Sequence, residues 1–168
     1  MDNQAVLRRS KTLLTFNESL VILNLEAPDA HTVIELLAAR LHAQGLVVAE
    51  YGQQTYDREL NHPTGLPTKP FCIAFPHADA EGVRQSGLAM ATLAEPVGFK
   101  NMGDPDEELP VHLVLMLANC NPEEQVKTLR NLAILFGKPD QLQALREQPT
   151  PQAAVAWLRR ELRLDEAA

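Results

Sequence analysis

Long apolar runs, cysteine pairs and nucleotide-binding glycine loops are missing from this sequence, and each absence closes off a class of protein. No stretch approaches the roughly 18 apolar residues of a membrane span, and the opening MDNQAVLRRS carries no apolar block behind its basic residues, as a secretory signal would. The expectation is a soluble, cytoplasmic protein. Cys72 and Cys120 each stand alone in an apolar segment, which reads as two buried thiols rather than a disulfide. HxH, HExxH and CxxC spacings are absent, so the case for a metal is weak. There is no GxSxG turn to expose a serine nucleophile, and no Walker or GxGxxG loop to cradle a nucleotide. A net charge of −7 makes nucleic acid a poor partner and favours a protein with a basic docking face. No internal repeat, low-complexity block or Gly/Ser linker divides the chain.

What is present is enough apolar content, 45% over 168 residues, to bury one sizeable core. SLVILNL (19–25) reads as a strand. DAHTVIELLAARLHAQG (29–45) reads as a helix with Asp29 at its N-cap and Gly45 just past its end. A second helix is expected from 49 to about 61, stopped by Pro63, after which the rigid loop HPTGLPTKP delivers the chain to a buried strand at 71–75. SGLAMATLAE (86–95) and VHLVLMLA (111–118) are further strands, the latter apolar enough to be covered on both faces, with a turn-rich KNMGDPDEELP before it. NPEEQVKTLRNLAILFGK opens a helix with Asn121 as cap and Pro122 at the first position. Two shorter helices follow, the last capped by Thr150 and started by Pro151. Strands interleaved with helices predict an α/β sandwich with helices on both faces of a sheet, where ligand chemistry gathers at strand ends.

FCIAFPHADAEGV (71–83) puts His77 at such an end, directly behind the stiff Pro76 and ahead of an acidic segment. A histidine placed there is held in position. The other histidines read differently: His31 and His42 lie on an amphipathic helix, His112 is at the edge of a central strand, and His62 precedes Pro63 in the rigid loop. His77 could serve as a zinc ligand, as a base for a hydroxyl or thiol nucleophile, or as a nucleophile that accepts a phosphoryl group. The first two want partner motifs that are absent. The third needs a neutral imidazole with one ring nitrogen held by a hydrogen bond, plus charge neutralisation for the transferred group. Arg58 in YDREL and the hydroxyl and backbone donors of PTGLPT are the available suppliers.

The order DREL, PTGLPT, IAFPHAD resembles the enzyme IIA domains of the bacterial phosphoenolpyruvate-dependent sugar phosphotransferase system, in the fructose/mannitol superfamily. EPVGFKNMGDPDEELPVHLVLMLA is similar to the galactitol-type branch through its Met-Gly-Asp segment. The resemblance spans about residues 17–162, leaving 1–16 as an N-terminal extension to a single domain over 17–168. It implies a three-layer α/β sandwich with a mixed, mostly parallel sheet, and no cofactor or metal. It also implies His77 as the phosphorylated residue, Arg58 as the arginine that neutralises the phosphate, and Thr64 and Gly65 on the phosphate-site turn. The implied partners are the histidine phosphocarrier protein as donor and a cysteine of an enzyme IIB as acceptor, in uptake of galactitol or a related hexitol. One departure stands out: the family's second histidine, at the start of the helix after the central strand, is replaced here by Glu123 or Glu124. Either His62 takes its place, or transfer is slower, or the protein is a regulator whose partners read the phosphorylation state.

Overall fold

The computed structural model describes residues 14–121, 123 and 126–164. Its elements, in chain order, are β1 (Val21–Leu25), α1 (Ala30–Ala43), α2 (Tyr51–Asn61), β2 (Gly65–Leu66), β3 (Cys72–Ala74), β4 (Gly87–Asn101), β5 (Asp104–Ala118), α3 (Val126–Phe136), α4 (Pro139–Arg146) and α5 (Pro151–Leu162). The caps expected at Asp29 and Thr150 form, whereas the helix start expected at Pro122 falls outside the described residues. Asp29 accepts the backbone N–H of Thr32 at 2.8 Å, Thr150 accepts that of Ala153 at 3.1 Å, and Gly45 takes the positive φ of 72° that lets the chain leave α1.

The five strands form one mixed sheet, as expected. β1 runs parallel to β4, β3 parallel to β5, and β4 and β5 pair antiparallel along most of their length. Residues 87–93 and 113–118 are buried without a break, so both faces of the central strands are covered. α1 packs on α2 and β4, α5 packs on β1, and α3, α4 and α5 pack on one another. The core includes Ile34, Leu37, Leu88, Met90, Leu113 and Leu115, all inaccessible to solvent.

Four local expectations change. The segment read as turn-rich is the outer half of a long hairpin: β4 runs on to Asn101 and β5 starts at Asp104, with only 102–103 as the turn. Here Val97, Phe99, Leu109 and Val111 face inward with a period of two, which carries the Pro- and Asp-rich sequence as strand. Next, the buried strand before His77 is only three residues long, Cys72–Ala74. Both thiols are free, as anticipated, but Cys72 is half-buried and Cys120 is exposed rather than buried. Finally, packing already includes residues 14–16: Leu14 and Phe16 are buried, and Thr15 lies against Gly87. The two ends of the fold are tied directly, since the Arg159 guanidinium donates to the Phe16 carbonyl at 2.8 Å.

Candidate functional site

The site is assembled by three pieces of chain: the second half of α2, the loop through β2, and the segment that leaves β3. His77 sits at the end of the third. Its Nδ1 lies 2.9 Å from the backbone carbonyl of Phe75. A carbonyl can only accept, so Nδ1 carries the proton and Nε2 keeps its lone pair. The ring is half-buried, tilted against Phe75 at 5.8 Å between centroids, and Phe75 meets the edge of Phe136 on α3 at 5.9 Å. Pro76 is buried. The imidazole is therefore fixed from its own strand, and one nucleophilic nitrogen is left without a protein partner among the described residues.

The strand end is in turn fixed by α2. Glu59 is buried, and its carboxylate accepts the Thr64 backbone N–H at 2.9 Å and the Thr64 hydroxyl at 2.9 and 3.1 Å. The same hydroxyl accepts the Phe75 N–H at 3.1 Å. Burial pushes the Glu59 carboxyl up from its ordinary pKa, against the opposing pull of the Thr64 donors and of Arg58. A second tie comes from Tyr51, fully buried at the start of α2, whose phenolic oxygen accepts the Ala78 N–H at 3.2 Å. Burial also raises the Tyr51 pKa. His77 thus lies between two backbone positions, 75 and 78, that are both hydrogen-bonded to side chains around α2.

Thr64 is buried with its hydroxyl committed to Glu59 and Phe75. Gly65 pairs with Ala74 and with Asn101, and the Lys100 carbonyl comes so near that an added Cβ would lie 2.5 Å from its oxygen. Only a residue without a side chain permits that approach. Arg58, on the face of α2 toward the site, places Nη1 3.6 Å from the Asp79 carboxylate, while its Nε is buried and has no hydrogen-bond partner among the described residues. An open cleft of about 770 Å³ is lined by Arg58, His62, Ala78, Asp79 and Glu81 among others. His62 is exposed there, at the C-terminal end of α2. A larger groove of about 1130 Å³, between α1 and α5, is lined by Phe16, Arg40, Gln44 and Arg160 and contains none of these residues.

The structure thus brings Arg58, His62 and the segment after His77 to one cleft. Glu123 is exposed, with its N–H donating to Asn121 Oδ1 at 3.1 Å, whereas Pro122 and Glu124 lie outside the described residues. The remaining histidines have local roles. His42 Nδ1 lies 3.0 Å from the Val47 carbonyl, His31 stacks on Tyr56 at 4.2 Å and pairs with Glu35, and His112 packs beside Phe71. Sequence reasoning did not single out Glu59, Tyr51 or Asp79. Glu59 stood inside the quoted DREL, but only the return of the loop shows that it faces inward.

Comparison with known proteins gives a consistent picture. The family model described as "Phosphoenolpyruvate-dependent sugar phosphotransferase system, EIIA 2" matches residues 14–161. The galactitol-specific EIIA component of Escherichia coli K12 is 32% identical over 127 residues, 74% of this chain and 82% of that protein. The transcriptional regulator ManR of Bacillus subtilis 168 is 34% identical over 145 residues, 84% of this chain but 20% of the regulator. The complex of enzyme IIAMTL and phosphorylated enzyme IIBMTL from Escherichia coli shares the fold, with a TM-score of 0.69 at 23% identity, covering 90% of this chain and 99% of that one.

Proposed function

The chain belongs to the EIIA 2 family of the phosphoenolpyruvate-dependent sugar phosphotransferase system, and on that premise we propose that it carries a phosphoryl group on Nε2 of His77. The observation that carries this reading is the 2.9 Å contact between Nδ1 and the Phe75 carbonyl, which leaves Nε2 as the nucleophile. In the proposed step the Nε2 lone pair forms the new N–P bond. The P–N bond of the donor breaks with its electron pair on the donor nitrogen, and Nδ1 keeps its proton on the Phe75 carbonyl. Arg58 supplies the positive charge for the equatorial oxygens. Thr64 and Gly65 shape the turn beside the phosphate, with Thr64 acting through Glu59 and Phe75.

The donor in this reading is the histidine phosphocarrier protein and the acceptor a cysteine of an enzyme IIB. Galactitol or a related hexitol is the transported sugar, by analogy with the galactitol-specific relative. Among the described residues no helix is long and apolar enough to cross a membrane. The relation to ManR favours a second reading, in which partners respond to the phosphorylation state of His77. Transfer to an isolated IIB separates the two: the carrier passes its phosphate on, the regulator retains it.

The test is labelling with phosphoenolpyruvate, enzyme I and the phosphocarrier. One acid-labile, alkali-stable phosphate is expected, absent in His77→Ala and formed about one to three decades more slowly in Arg58→Ala. Full labelling of His77→Ala, or an acid-stable phosphate, overturns the assignment.

A further inference from the structure

Asp79 occupies the N-cap position of the short turn Ala80–Gly82, where an aspartate ordinarily accepts a backbone N–H, yet its side chain makes no capping hydrogen bond. It turns instead toward Arg58, which lines the same cleft as Ala78, the residue after His77, and meets it at 3.6 Å. That separation is longer than a hydrogen bond, and the Asp79 side chain is 87% exposed, so the pair is loose and readily exchanged. The backbone around it is not loose. Tyr51 holds the Ala78 N–H, the Gly82 N–H donates to the Asp79 carbonyl at 3.3 Å, and the Val83 N–H donates to that of Ala80 at 2.9 Å. A carboxylate on a fixed stem, two residues past the histidine, is thereby held against Arg58 in the cleft that both line.

We propose that Asp79 is the resident counter-ion of Arg58, exchanged for the phosphoryl group each time His77 is charged, so that competition for one guanidinium sets how firmly the phosphate is kept. The inference rests on the phosphohistidine reading. A phosphoryl group brings about −1.5 to −2 charges to the site, more than a carboxylate, and presents three acceptor oxygens to the guanidinium. Arg58 therefore moves its contacts to the phosphate, and Asp79 is left as an unpaired anion beside it. This penalty exists only in the charged form. It weakens retention of the phosphate and favours its release to the next protein, and Asp79 acts as a positioning residue that works through Arg58.

The test is the partition of phosphate between the phosphocarrier and this chain at equilibrium, read by phosphorus NMR or phosphate-affinity electrophoresis. Asp79→Asn is expected to shift the partition about two- to fivefold toward the phosphorylated chain at low salt, on the scale of an exposed ion pair. The shift should shrink as ionic strength rises, which a purely structural effect would not do. Asp79→Glu, which keeps the charge, should partition as wild type, and in an Arg58→Ala background Asp79→Asn should have no effect. A shift toward the donor, an unchanged Asp79→Asn partition, or a shift that survives without Arg58 overturns the proposal. Those results leave the phosphohistidine reading standing as long as His77→Ala abolishes labelling; labelling of His77→Ala removes the reading itself.

Discussion

Thr64 gives both its backbone N–H and its hydroxyl to one buried carboxylate, that of Glu59, while the same hydroxyl accepts the N–H of Phe75. Through this residue, and beside the Tyr51 tie to Ala78, α2 holds the strand end that positions His77. Thr64→Val, equal in shape, leaves Glu59 short of a donor and the Phe75 N–H with only the Thr64 carbonyl at 3.4 Å. A loss of about 1–3 kcal/mol in urea denaturation is expected, with slower phosphotransfer, and Thr64→Ser should recover most of both. A Thr64→Val protein as stable as wild type would remove the relay.

The charge on Glu59 gives a pH signature. Burial raises its folded-state pKa above the ordinary value of 4.5, so between those two values the folded chain binds more protons than the unfolded one. Stability from this group therefore falls as pH rises through that window and is regained as pH drops back through it. Glu59→Gln cannot titrate. The urea midpoint of wild type should gain on that of Glu59→Gln as pH is lowered from neutral toward about 4.5, and parallel midpoint curves would refute the assignment.

Of the three residues expected to stand in for a second histidine, His62 and Glu123 are described and Glu124 lies outside the described residues. His62 shares the cleft with Arg58 and Asp79, whereas Glu123 is exposed and gives its N–H to Asn121 Oδ1. His62→Ala should slow labelling by up to about tenfold, below the effect of Arg58→Ala because an exposed ring acts through water, with little change in thermal midpoint. Glu123→His should label at the wild-type rate. Faster labelling of Glu123→His would place that position at the phosphate.

Gly65 tests the architecture without any assay of function. In Gly65→Ala the new methyl meets the Lys100 carbonyl oxygen at 2.5 Å, against backbone that cannot swing aside. A loss of about 1–3 kcal/mol is expected. An unperturbed midpoint would mean that β2 does not seat on the hairpin as described.

Much of the framework around the candidate site was legible in the sequence because its cues are local. Pro76 before His77, the caps Asp29 and Thr150, and the Thr-Gly turn each act within a few residues. The missed features depend on distant chain. KNMGDPDEELP has the composition of a turn, and it becomes strand only because Phe99 finds Leu109 and Val97 finds Val111 across the hairpin. Glu59 sits on a helix, where a glutamate is ordinarily solvated, until the loop brings Thr64 back to cover it. Asp79 was readable only as part of an acidic run, since its pairing with Arg58 spans from one element to another.

The contact between Arg159 and the Phe16 carbonyl, separated by 143 positions, has a consequence for biosynthesis. β1 pairs only with β4 in the sheet, and α5 packs on β1 from the far end of the chain. A nascent chain on the ribosome therefore emerges with its first strand lacking neighbours on either side until most of the domain has been made. Such late-closing topology folds slowly compared with locally connected bundles. Docking of α5 on β1 closes this part of the fold only after the strands between them have been made.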